Sequence, residues 1–136
     1  MAADDRDEVN LIVYRATHNF IVLNRFPYTS GHLMVVPYVH VSGLADIDEP
    51  AATEMMALTR LAERRLREVY RTDGLNIGMN MGASAGAGIA GHIHMHVVPR
   101  WHGDANFMTT ISETRILPEE LDVTWRRVSA ALARER

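Results

Sequence analysis

The chain has 136 residues, 47% apolar and 23% charged, with a net charge of −3 and no cysteine. That is one domain of ordinary size with enough apolar residues for a core. It excludes disulfides, thiolate metal sites and a cysteine nucleophile, and offers no basic excess to nucleic acid. No apolar run approaches the ~20 residues of a membrane span. The acidic start, Met1-Ala2-Ala3-Asp4-Asp5-Arg6-Asp7-Glu8, is the opposite of a signal peptide, so a cytoplasmic location is expected.

In chain order, residues 1–8 read as a disordered lead-in to a single domain over 9–136. Val9–Tyr14 and Asn19–Leu23 are β-branched, apolar runs around a polar turn and predict a hairpin. Pro27-Tyr28-Thr29-Ser30-Gly31 is loop chemistry, and His32–Val36 predicts a third strand ended by Pro37. The spacing of Met55, Leu58, Ala62, Leu66 and Val69 predicts a helix from about Pro50 to Arg71, closed by Gly74. Proline suits its first turn, and Asp48 and Glu49 suit its dipole. Glu63/Arg67 and Arg64/Glu68 are i,i+4 pairs on the wet side, and the methionines between 55 and 81 read as core filling. Leu75–Met81 and His92–Pro99 predict the fourth and fifth strands, with Phe107–Ile111 extending or capping the sheet. Pro118 to Ala133 predicts a second helix whose arginines read as a solvated face. Strands in consecutive runs around one long helix predict α+β with a mostly antiparallel sheet.

His92, His94 and His96 alternate with the apolar Ile93, Met95 and Val97. On a strand that spacing puts all three imidazoles on one face. Imidazole titrates near neutrality and can serve as nucleophile, acid or base. The small-residue segment Gly82–Gly91 leads into them, and backbone amides that close to the surface can cradle a phosphate. A flexible loop is the plainer reading, but its position next to the histidines favours the cradle. Gly86, Gly88 and Gly91 also spell a dinucleotide fingerprint, but a strand rather than a helix follows, so the match is accidental. A three-histidine zinc site is the rival, weakened by the lack of a nearby acidic residue to orient the ligands. His32 at a strand start is placed to join the triple, and Trp101 reads as core or lid.

His92-Ile93-His94-Met95-His96-Val97-Val98 resembles the pattern of the histidine triad (HIT) family. Asn24-Arg25-Phe26-Pro27, Gly31-His32 and Asn80-Met81-Gly82 resemble the rest of that family's site. Ser84-Ala85-Gly86 and Val98-Pro99-Arg100-Trp101 are similar to its diadenosine tetraphosphate phosphorylase branch. The resemblance implies a five-stranded sheet with two helices, paired in a homodimer, or a dimer of dimers, as a ten-stranded sheet. It implies nucleotidyl transfer without a cofactor through a covalent nucleotidyl-histidine, with a dinucleoside polyphosphate and inorganic phosphate as substrates. His94 would be the nucleophile. His96 would contact the α-phosphate and pass a proton to the leaving group, and His92 and His32 would complete the imidazole cluster. Asn24 would hold the ribose with Val22 near the base, and Asn80, Gly86, Ala87 and Gly88 would hold phosphate. Family hydrolases commonly carry glutamine at the position of Gly88, so its absence favours phosphate over water as acceptor. The cysteine pair that binds zinc in many relatives is absent. A hydrolase releasing AMP, a non-catalytic nucleotide-binding regulator and a zinc hydrolase are the alternatives.

Overall fold

A computed structural model describes residues 6–88, 91–104 and 119–134. Five strands, β1 (Ile12–Arg15), β2 (Asn19–Leu23), β3 (Leu33–Pro37), β4 (Gly74–Gly78) and β5 (Met95–Arg100), form one antiparallel sheet in the order β1-β2-β3-β5-β4. Two helices, α1 (Glu49–Tyr70) and α2 (Leu121–Ala133), complete the α+β fold expected from the sequence.

Alternation along the strands sorts the sheet into two faces. Ile21, Leu23, Leu33, Val35 and Val97 are buried against Met55, Leu58, Leu61, Ala62 and Leu66 of α1 and against Val128 and Leu132 of α2. Each such Val, Leu, Ile or Met side chain contributes about 1.5–3 kcal/mol on burial, whereas an exposed i,i+4 ion pair such as Arg67–Glu63 contributes under about 1 kcal/mol. Packing therefore holds α1 in place. The Asp48 side chain caps it by accepting from Ala51 N–H at 3.0 Å.

Several boundaries differ from the sequence expectation. Residues 6–8 of the expected lead-in are in turns, because Asp7 pairs with Arg15 at 2.7 Å and its carbonyl accepts from Ile12 N–H at 2.8 Å. The first strand consequently starts at Ile12 rather than Val9. α1 ends at Tyr70 and is capped by Arg71, which takes the left-handed conformation itself (φ 49°), so Gly74 opens β4 instead of closing the helix. Of the methionines read as core, Met55 is buried and Met79 packs on the core, but Met56 and Met81 are 54% and 44% exposed. Glu68 pairs with Arg65 and Arg134 rather than with Arg64. Arg127 is not simply solvated, since it lies over the Tyr70 ring and pairs with Glu119. The cap expected at Phe107–Ile111 lies outside the described residues.

The largest difference is at β5, which begins at Met95, so His92 and His94 precede the strand. β3 pairs with β5 only as far as Val35↔Met95. Beyond it, Ile93 N–H donates at 2.8 Å to Val41 O, in the loop that follows β3.

Gly31, just before β3, has φ +86°, and a Cβ there would sit 3.0 Å from Tyr70 Cε2 and 3.2 Å from Leu66 Cδ2. Replacing Gly31 with Ala therefore adds left-handed strain to a clash with α1. The expected cost is about 2 kcal/mol or more, measured as a lowered midpoint of chemical unfolding; a midpoint equal to that of the unaltered chain would refute this account.

Candidate active site

The register across the sheet sets Val22 opposite Met34, Met34 opposite His96, and His96 opposite Gly78. This row faces away from the helices, so one open face of the sheet carries a half-buried strip that ends on an imidazole. Asn24 follows β2, and its N–H donates to His32 O at 3.0 Å, extending the pairing by one residue. The same face thus gathers Val22, Asn24, His32 and His96 from three parts of the chain.

His32 is buried, with its ring centroid 5.1 Å from that of His96, which lies 4.7 Å from that of His94. The hydrogen bonds assign the tautomers. Tyr28 N–H donates to His32 Nδ1 at 3.1 Å, so that nitrogen carries no proton. His32 Nε2–H then donates to His96 Nδ1 at 2.9 Å. His96 keeps its own proton on Nε2. His94 Nδ1–H donates to His92 O at 3.1 Å, which leaves the Nε2 lone pair of His94 uncommitted by that bond. The result is a bare imidazole nitrogen next to an imidazole N–H.

Charge agrees with these tautomers. Burial, reinforced by the charges of His96 and His94, holds His32 down to about 4. Burial, then His94, lowers His96 as well. Both rings are therefore neutral near pH 7.

His92 is placed differently from its two neighbours. Its Nε2–H donates to Pro37 O at 2.8 Å, and its ring packs 4.7 Å from that of His40. Nothing in the order of residues singles out His40, because only the tertiary pairing of Val41 with Ile93 brings it there. Tyr28 was equally invisible. It acts on His32 through its backbone N–H, which any non-proline residue supplies, and its ring stacks on His32 at 5.3 Å.

In the glycine-rich segment, residues 83–85 form a 3-10 turn between Gly82 (φ +84°) and Gly86 (φ +92°). Gly86 N–H donates to Ala83 O at 3.0 Å and Ala87 N–H to Gly82 O at 3.2 Å, so these two amides, expected to face phosphate, stabilise the turn itself. The Asn80 amide lies beneath it, with Nδ2 3.8 Å from where a Cβ on Gly86 would stand. A Cβ on Gly88 would meet nothing within 4 Å, so that position is open. Trp101 is not brought to the histidines. It follows β5 at five residues from His96, about 16 Å along a strand, and its indole N–H donates to Tyr70 O at 3.2 Å.

The HIT domain pattern matches residues 6–103 of this chain. The chain belongs to the HIT family. Among related proteins, the AP-4-A phosphorylase of Mycobacterium tuberculosis is 46% identical over 129 residues, covering 95% of this chain. This HIT chain spans 66% of that relative's length. The asymmetrical bis(5'-nucleosyl)-tetraphosphatase of Schizosaccharomyces pombe is 27% identical over 111 residues, which are 82% of this chain and 57% of that one. Among solved structures, a Zn-bound histidine triad family protein from Mycobacterium smegmatis superposes with a TM-score of 0.75 at 32% identity, covering 93% of this chain and 86% of that one. The chain has no cysteine, and among the described residues no group of three or more His, Asp or Glu side chains is placed to hold a metal ion.

The depressed pKa of His32 has a consequence for stability. The unfolded chain takes up a proton near 6.5, while the native state resists protonation until about 4. More protons on the unfolded state at a given pH means that stability falls as pH falls. Urea midpoints should therefore drop between pH 6.5 and 4, and His32→Asn should flatten that dependence; equal slopes for the two proteins would contradict the assignment.

Proposed function

We propose that this HIT protein cleaves dinucleoside polyphosphates by nucleotidyl transfer, with His94 as nucleophile and inorganic phosphate as acceptor. The observation that carries the reading is the tautomer of His94, whose Nδ1–H is held on His92 O while Nε2 keeps its lone pair beside His96. The names of the mycobacterial and fission-yeast relatives support the substrate class.

The residues act as follows. His94 Nε2 attacks the α-phosphorus of diadenosine tetraphosphate, and the bond from phosphorus to the bridging oxygen breaks, releasing ATP. The adenylated imidazole keeps its Nδ1 proton and so carries a positive charge, which the carbonyl of His92 stabilises. That charge makes it a good leaving group for the second displacement. Phosphate then attacks the same phosphorus, the N–P bond breaks, ADP leaves, and His94 returns to its starting tautomer. His96 Nε2–H donates a hydrogen bond to the reacting phosphate oxygens. With a lowered pKa it suits a polyphosphate leaving group, stable as an anion near neutrality, better than an amine needing a full proton. His32 holds the His96 tautomer, Asn24 and Val22 line the nucleoside side, and Asn80 and the loop at Gly88 line the phosphate side. Imidazoles and amides carry the chemistry.

The products report the acceptor. In millimolar phosphate, diadenosine tetraphosphate should yield ATP and ADP, separable by chromatography, and His94→Ala should lose several orders of magnitude in rate while staying folded. AMP without ADP would replace the phosphorylase reading with a hydrolase; more than a few per cent residual rate would reject His94. Gly88→Gln should fit, given the open space at that Cβ, and should divert product from ADP to AMP.

The same reading includes a homodimer. β4 is an edge strand whose Asn76, Ile77 and Gly78 are exposed, with Ile77 at 46%. An edge strand with an exposed apolar side chain is a template for a second copy. Sedimentation at micromolar concentration should give a dimer or a dimer of dimers, and a monomer would count against it.

A further inference from the structure

We propose that His40 is a positioning residue for the nucleophile, acting through His92 as a brace on the segment that fixes the His94 tautomer. It rests on the reading of His94 as nucleophile.

The geometry forms a closed path. His94 Nδ1–H is held by the carbonyl of His92, so the direction of that one carbonyl decides which nitrogen of His94 is bare. His92 and His94 lie before β5, outside the regular ladder that fixes His96. Something else has to hold their backbone. Three contacts do so, from the last residue of β3 and the stretch that follows it. Pro37 O accepts from His92 Nε2–H at 2.8 Å, Val41 O accepts from Ile93 N–H at 2.8 Å, and the His40 ring packs on the His92 ring at 4.7 Å with an interplanar angle of 53°. The contact is close on the other side too, since a Cβ on Gly91 would come within 3.2 Å of His40 Nε2. His40 thus fills the space between Gly91 and His92.

His40 is exposed, and no hydrogen bond of its ring is part of this path. Its contribution is ring packing that holds the His92 imidazole against the Pro37 carbonyl. Without it, His92 gains rotamer freedom and its bond to Pro37 competes with water. The carbonyl that fixes His94 then loses one of its braces. Small misplacements of a reacting group cost rate far more than binding. An exposed ring with this duty should therefore affect turnover rather than substrate affinity or global stability.

The experiment compares the unaltered chain with His40→Ala and His40→Phe, by 15N NMR of the imidazole nitrogens and by turnover of diadenosine tetraphosphate in phosphate. In the unaltered chain His94 should show one neutral tautomer, protonated at Nδ1. His40→Ala should give mixed His94 tautomers and a kcat lowered about tenfold, with KM within twofold and the unfolding midpoint nearly unchanged. His40→Phe should restore both tautomer and kcat, because the ring rather than its nitrogens is what is needed. An unchanged His94 spectrum and kcat in His40→Ala would overturn the proposal. So would a fall in kcat that merely follows loss of folded protein, or a failure of phenylalanine to rescue. If the unaltered chain turns over no dinucleoside polyphosphate, the proposed function fails, while the tautomer spectra still decide the role of His40.

Discussion

The antiparallel pairing of β3 with β5 is the contact on which the rest of the molecule depends. It sets Met34 opposite His96 across 62 residues of chain and brings His32, at the head of β3, to hydrogen-bonding distance of His96. It also places Leu33 and Val97 side by side on the other face, under the two helices. One register therefore specifies both the core and the imidazole cluster. A slip by one residue would exchange the faces, burying His96 and exposing Val97. The apolar face enforces the register, because several large side chains would lose their burial together.

Where that pairing stops matters as much as where it runs. Past Val35↔Met95 the ladder gives way, and His92 and His94 fall in a segment held by single bonds to Pro37 and Val41. The alternating histidines consequently do different work. His96 sits on the sheet and is oriented by another imidazole, His94 is oriented by a backbone carbonyl, and His92 turns to the end of β3. Each ring nitrogen with a partner on this path is fixed as donor or acceptor. Neutral imidazoles in fixed tautomers can present a lone pair and an N–H side by side, whereas protonated ones could not offer the lone pair. Burial keeps His32 and His96 in that neutral form.

The glycine-rich loop and the segment after β5 show what local composition leaves to the fold. Glycines and alanines at 82–88 do form a tight turn, but the turn uses the amides of Gly86 and Ala87 for itself. Trp101, close in sequence to the histidines, is carried away by the length of β5 and serves the end of α1.

Much was legible in the residues alone. The apolar periodicity of Met55, Leu58, Ala62 and Leu66 placed α1, the β-branched run of Asn19–Leu23 matched β2 end for end, and the histidine pattern marked the family. Those signals are local, because helical period, strand alternation and motif spacing are written in consecutive residues. The sequence also determined that thiolates take no part, since it holds none. Long-range contacts alone set β5 between β3 and β4, start that strand at Met95, and return the chain past Pro37 to meet His92. His40 and the backbone N–H of Tyr28 entered the site in this way. Neither has a sequence signature: His40 is placed by ring packing against a segment far along the chain, and Tyr28 by the turn that bends its backbone N–H onto His32, and such partners are chosen by the fold.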